Sequence, residues 1–374
     1  MSSPTKKTRE PLFHVVARKN LPLWKQIVFR IAAILLALAF SSLLIVIMTG
    51  LNPIEVYKTM FSSSFGSTRK IWTMLEKTAI LLCISLAVTP AFKMRFWNLG
   101  AEGQVLAGGL ACAACMFYIQ NSLPSWLLIL IMLVCSVAAG MLWSFLPAFF
   151  KSRWGTNETL FTLMMNYIAM QLVTFTIAKW VPTGSGTLNI LNADTRCGWL
   201  PAVNIAGTDQ KYFINVLVVF ILTILMYVYL KFTKQGYEIA VVGESVNTAN
   251  YVGINVKKVI IRTVLISGAI CGITGFLLVA GDGHTVSTGI ASGNGFTAIL
   301  VSWLSKFNPL IMILSSFLIV FMQRGASGIA STFNMDNSIA DIITAIILFF
   351  IIGVEFFINY QIVWTARTGK EAEG

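Results

Sequence analysis

Apolar residues run almost unbroken near 27–48, 71–91, 99–119, 124–150, 158–180, 213–232, 259–281 and 338–360, with polar and basic residues gathered between them. Runs of about 20 apolar residues predict helices that cross a bilayer, and their continuity excludes a β-barrel, whose strands alternate in polarity. No charged residue occurs between Glu102 and Lys151, a stretch too long for one crossing, so a turn is expected at Gln120-Asn121-Ser122-Leu123-Pro124. Two shorter runs, 295–305 and 309–323, flank Lys306-Phe307-Asn308-Pro309. At about 1.5 Å per residue the first covers little more than half of the hydrocarbon layer, which predicts a half-helix or re-entrant segment. The expected fold is all-α and polytopic, with about eight to ten transmembrane helices.

Composition agrees: 56% of the 374 residues are apolar and only 11% charged, against roughly a quarter in soluble domains. A single membrane domain is expected over 27–360, between an N-terminal tail, 1–26, and a C-terminal tail, 361–374. The polar, basic start does not read as a cleavable signal. Most of the 27 Lys and Arg fall in alternate connections, which predicts cytoplasmic termini by the positive-inside rule; segment 49–77, outside on this scheme, still carries Lys58, Arg69, Lys70 and Lys77. The net charge of +12 is thus mostly a cytoplasmic face, and no nucleic-acid partner is expected. The external loop 181–212 opens with the turn-forming Pro182-Thr183-Gly184-Ser185-Gly186.

Ionisable groups in a bilayer each need an account. Glu102 and Glu158 sit near predicted helix starts, where the dipole favours a carboxylate and basic neighbours, Lys93 and Arg95 for Glu102, would neutralise it. Gln104, Asn166 and Gln171 would waste hydrogen bonds on lipid, so they should face other helices or a watery path. Their amides, with Asn98, suit a neutral solute rich in donors and acceptors, though interhelical bonding accounts for any one of them equally well. Gly100, Gly103, Gly108 and Gly109 predict close helix packing. The glycine-rich GDGHTVSTGIASGNG, 281–295, predicts irregular backbone that is buried or lines a cavity.

Catalysis finds little support. His14 and His284 are the two histidines, and there is no HExxH pair, GxSxG elbow or phosphate loop. The six cysteines form no disulfide or zinc pattern. No metal and no cofactor is expected. An ion-coupled carrier would need midplane carboxylates, for which Asp341, Glu355 and Glu76 are the candidates. In loop 233–258, residues 244–252 predict two helical turns between Gly243 and Gly253, and such an amphipathic helix suits either a soluble partner or the lipid surface.

Four blocks then carry a resemblance: Phe96 to Gly109 (FWNLGAEGQVLAGG), Thr156 to Ala169, Gly236 to Asn255 (GYEIAVVGESVNTANYVGIN) and Gly293 to Leu310. In this order, with spans between them, they resemble the permease subunits of bacterial nucleoside and simple-sugar ABC importers. The GAEGQ form is similar to the nucleoside branch, while Trp97 departs from the family's smaller step. The resemblance implies a plasma-membrane importer with a second permease subunit, cytoplasmic ABC ATPase subunits that hydrolyse ATP, and an extracytoplasmic substrate-binding protein. It also implies that loop 233–258 docks on the ATPase through Gly243, Glu244, Asn247, Ala249, Gly253 and Ile254. The solute path is expected to pass Asn98, Glu102, Gln104, Asn166 and Phe296.

Overall fold

A computed structural model of the chain describes residues 13–17, 22–119, 123–181, 188–205 and 208–364. The turn residues 120–122, the loop residues 182–187 and the terminal segments 1–12, 18–21 and 365–374 lie outside the described residues. The helices are α1 (Leu23–Thr49), α2 (Pro53–Phe65), α3 (Thr68–Lys93), α4 (Ala101–Ile119), α5 (Ser125–Trp154), α6 (Glu158–Trp180), α7 (Phe213–Phe232), α8 (Lys234–Glu244), α9 (Val246–Tyr251), α10 (Val256–Phe276), α11 (Asn294–Leu304), α12 (Pro309–Phe333) and α13 (Asn337–Asn359). Among the described residues seven helices are long and apolar enough to cross a membrane, and shorter apolar stretches lie in α1, α11 and α13. The chain is therefore an all-α polytopic membrane protein. The eleven-residue α11 is the short element expected near 295–305.

The helices fall into two compact units. One is built from the chain up to Ser63 and from Gly325 onward. In it α1 packs along α13, with Phe40 and Phe350 5.8 Å apart, and Tyr57 of α2 donates to the Leu38 carbonyl of α1 at 2.8 Å. Two short strands, β1 (Phe13–Ala17) and β4 (Tyr360–Trp364), pair antiparallel, so each expected tail contributes a strand to this unit. The hydropathy pattern did not predict α2, because Glu55, Lys58 and three serines interrupt its apolar residues.

The other unit, Ser64–Arg324, centres on α10, which packs against α3, α4 and α5. Glycines set the spacing. A Cβ on Gly108 would lie 2.7 Å from the Gly272 Cα, and one on Gly272 would lie 2.9 Å from the Val137 Cα and closer still to the Ser136 carbonyl. Gly140 likewise faces Gly268 and Gly272. Membrane helices gain little by burying apolar groups against each other rather than against lipid, so such close backbone approach is what holds them together. Beyond Phe276 the helix widens into a π-turn, Leu277–Gly283, and the chain passes through bends to the αL residues Ser292 and Gly293 before α11 starts. Ala280, Gly281, Val286 and Ala291 are buried along this stretch, while Gly283, Gly289, Ser292 and Gly293 are exposed, so only part of the irregular backbone is enclosed as expected. The hairpin of β2 (Val203–Ile205) and β3 (Thr208–Gln210) completes the unit.

Candidate functional site

The chain does not enter α4 directly from α3. Arg95 adopts φ 61°, which turns the backbone and leaves Asn98 outside the helix at 0% exposure. Asn98 Oδ1 accepts from the Gly100 N–H at 3.1 Å and from Gln104 Nε2 at 3.2 Å, while its Nδ2 donates to Ser267 Oγ of α10 at 3.1 Å. Asn166 of α6 clamps the same turn from the other side: its Nδ2 donates to the Leu99 carbonyl and its Oδ1 accepts from the Gly103 N–H, both at 2.8 Å. Gly103 has no side chain because Asn166 occupies that space, its Oδ1 lying 2.8 Å from where a Cβ would be. Thr162 accepts from the Leu99 N–H at 3.1 Å. Three expected path residues, Asn98, Gln104 and Asn166, thus meet in one buried junction of α4, α6 and α10.

Glu102 has a different partner from the expected one. It does not pair with Lys93 or Arg95. Its two oxygens accept from the Gly293 N–H at 2.9 Å and the Gly295 N–H at 2.8 Å, at the start of α11. That helix begins at a glycine, which supplies no capping side chain, so a carboxylate 191 residues away in sequence satisfies its orphan donors and meets the positive end of its dipole. Glu158, by contrast, does pair with a basic residue close in sequence, Lys151 Nζ at 2.7 Å. α11 is held along its length by Thr89 Oγ1 of α3, 2.9 Å from Ser302 Oγ. Its outer face leaves Phe296, Leu300 and Trp303 about half exposed, at i, i+4 and i+7. Within the junction the free polar atom is Gln104 Oε1, buried and without a hydrogen-bond partner.

The 233–258 connection differs from the helix expected over 244–252. It forms two helices broken at Ser245, which takes β backbone and accepts from the Thr248 N–H at 3.2 Å as the N-cap of α9. Gly243 is therefore the next-to-last residue of α8 rather than the residue that precedes a single helix, and it is small because α8 lies on the Lys93 carbonyl at the end of α3. Gly253 does close α9, at φ 83°. α8 is further fixed by Gly236 against the Tyr229 and Leu230 carbonyls and by Arg262 Nη2, which donates to Glu238 Oε2 at 3.0 Å. Of the expected docking residues, Gly243 and Ala249 are buried supports, Ile254 is partly covered, and Glu244, Asn247 and Gly253 are exposed. The prominent residues of α9 are ones the sequence reading passed over: Tyr251, 93% exposed, with Val246 and Val252 beside it. The largely polar Asn247-Thr248-Ala249-Asn250 between Val246 and the Tyr251-Val252 pair kept them from forming an apolar run.

On the opposite side, Trp199 stacks on His284 at 3.7 Å and 3°, the Leu191 N–H donates to the His284 carbonyl at 2.9 Å, and the Leu200 N–H donates to the Ala280 carbonyl at 2.9 Å. These contacts bind the 188–205 loop to the π-turn. Burial, reinforced by the positive charge of Lys211, lowers the His284 pKa below its ordinary 6.5. Nearby, Lys77 Nζ donates to Asp282 at 2.9 Å and lies 3.5 Å from the fully buried Glu76. Asp341 and Glu355 lie in α13, with side chains outside the described residues. Among the described residues no three His, Cys, Asp or Glu come together to hold a metal.

Residues 71–352 match the family described as branched-chain amino acid transport system, permease component. The chain is also similar to curated proteins along most of its length. It is 28% identical to the nucleoside ABC transporter permease NupB of Lactococcus lactis, over 88% of this chain and 92% of that one. It is 26% identical to the guanosine ABC transporter permease NupP of Bacillus subtilis, over 85% and 91%. The glucose ABC transporter permease TsgB13 of Haloferax volcanii is 25% identical over 95% of both chains.

Proposed function

The chain belongs to the family of permease components of branched-chain amino acid transport systems, and from that membership we propose that it is the translocating subunit of an ABC importer for nucleosides, working in the bacterial plasma membrane with both termini cytoplasmic. Its partners are a second permease subunit, two cytoplasmic ATPase chains and an extracytoplasmic substrate-binding protein. The observation that carries the reading is α9: a short, strongly exposed helix mounted on α8, which is itself seated on the ends of α3 and α7 and bonded to α10. An ATPase closing on α9 would move α8, and α8 would move α3. Through Thr89 and Ser302 that motion reaches α11, whose N-terminus Glu102 holds.

The solute assignment draws on the relatives NupB and NupP and on the chemistry of α11. Its open face offers Phe296, Leu300 and Trp303 and no charge, which suits a neutral solute with an aromatic ring. Gln104, with a buried acceptor to spare, is the path residue best able to hydrogen-bond it. A simple-sugar solute is the second reading, favoured by the relative TsgB13. Uptake of labelled guanosine and uridine into cells carrying the full transporter is expected to stop when the chain is deleted and to be competed by unlabelled nucleosides but not by glucose or ribose. Competition by the sugars alone would replace the nucleoside assignment. Uptake that survives ATP depletion but stops with an uncoupler would overturn the ABC reading altogether.

A further inference from the structure

Two adjoining cavities open where α3, α7, α11 and α12 all end or begin. One, of about 440 Å³, is lined by Lys93, Tyr227, Lys231, Tyr237 and Phe307. The other, of about 390 Å³, shares Lys93 and Phe307 and adds Arg95, Trp97, Trp303 and one acidic residue, the exposed Glu244 at the end of α8. Lys93 is partly buried, yet among the described residues neither its side chain nor that of Arg95 has a hydrogen-bond or ion-pair partner. An ammonium stripped of part of its water and given no ion-pair contact by the protein favours an anion from outside, and Glu244 stands at the exposed rim without a contact to it. A second cation stands on the same wall: Lys231 Nζ is bonded to Tyr227 Oη at 2.9 Å.

We propose that this paired cavity binds the phosphate headgroup of an anionic phospholipid of the adjacent leaflet, with Lys93 as its central contact and Lys231 and Arg95 as flanking ones. Position and wall chemistry favour a lipid over a free anion. Lys93 is the last residue of α3, and Lys231 is in the last turn of α7, so both ammonium groups lie at the level where membrane helices leave the hydrocarbon. Trp97, Trp303, Tyr227 and Tyr237 around them are the amphipathic rings that settle at headgroup depth. Leu230, Phe307 and Pro309 give the first cavity an apolar wall for the glycerol and the first methylenes, which a free phosphate would leave uncovered. Basic pockets between membrane helices are the form that anionic headgroup recognition takes.

That the leaflet is the cytoplasmic one rests on the orientation given under Proposed function; the binding itself does not. The purified, delipidated full chain is titrated in detergent with phosphatidylglycerol, with phosphatidylcholine and with inorganic phosphate, following thermal midpoint and lipid retention by native mass spectrometry. Phosphatidylglycerol is expected to be retained and to raise the midpoint in a salt-sensitive way, while phosphatidylcholine and inorganic phosphate do neither. Lys93→Gln and Lys231→Gln should each weaken retention about fivefold. Lys231 is exposed, so its variant keeps the test open even if the other folds poorly. Equal retention of the two lipids, a midpoint shift reproduced in full by phosphate, or undiminished retention by the folded double variant would overturn the site. Labelling of Tyr251→Cys from outside intact cells would instead overturn the assigned orientation and leave the headgroup site standing.

Discussion

Glu102 shows what one buried carboxylate can do in a membrane protein. Its oxygens take two backbone N–H groups at the start of α11 that have no acceptor within the helix, the Gly295 one buried. Charge-assisted bonds of this kind are stronger than neutral ones, and the donors left behind by truncation carry their own desolvation cost. Glu102→Ala is therefore expected to destabilise the chain by about 2–4 kcal/mol, and Glu102→Gln by less, because an amide retains one acceptor. Hydrogen exchange should localise the loss to 293–304. If protection there were unchanged, the cap would be secondary to the packing of α11. His284 gives a pH signature on the other side. Its pKa is lowered in the folded chain, so the folded state prefers the neutral ring. Its contribution is fully present above about pH 6.5 and is lost as the pH falls toward the lowered folded value. Protease cleavage in the 188–205 loop should therefore speed up as the pH falls through that window, and His284→Gln should flatten the dependence.

Between helices, the deciding positions are the glycines of α4, α5 and α10. Gly272→Ala puts a methyl group against the Ser136 carbonyl and the Val137 Cα, both backbone atoms that cannot rotate away. The helices must separate, and overpacking of this sort costs about 1–3 kcal/mol or more. Gly353 of α13 is the control, because nothing lies within 4 Å of its Cβ position; alanine there is expected to leave the thermal midpoint unchanged or slightly higher. A lower midpoint for both would mean the effect is not packing. This level also shows what could be read from the sequence. Gly108 and Gly109 announced close packing because they are adjacent and sit among alanines, whereas Gly140 is a lone glycine in a long apolar run, and its partners are more than a hundred residues away. Long apolar runs declared the spans, and the short length of 295–305 declared α11. α2, α8 and the pairing of β1 with β4 could not be seen that way, since mixed polarity or tertiary pairing rather than periodicity forms them. At the junction, the residue types of Asn98, Gln104 and Asn166 were legible, but their partners were not: Asn98 meets Ser267 and Asn166 meets the Leu99 and Gly103 backbone, each across more than sixty residues of chain. Glu102 drew the wrong partner from sequence because proximity along the chain favours Lys93 and Arg95.

For the whole molecule the question is how force on one face becomes rearrangement in the membrane. α8 touches the last carbonyls of α7, the end carbonyl of α3 and the Arg262 side chain of α10, so it cannot shift without disturbing all three. α9 adds to α8 a projecting surface that contributes little to the core, since Tyr251 and Val252 are exposed and Ala249 alone is fully buried. Stability and coupling should therefore separate at these positions. Tyr251→Ala with Val246→Asp is expected to leave the thermal midpoint of the isolated chain within the small range usual for surface changes, about 0.5 kcal/mol, while abolishing transport and the solute-stimulated part of ATP hydrolysis in the assembled importer. Gly243→Trp, which forces a ring into the Lys93 backbone, should fail earlier, at folding. Measuring the midpoint of each variant beside ATPase activity distinguishes the two. If the α9 variant transported normally, the exposed knob would not be where the ATPase pushes, and the lever through α8 would have to begin elsewhere.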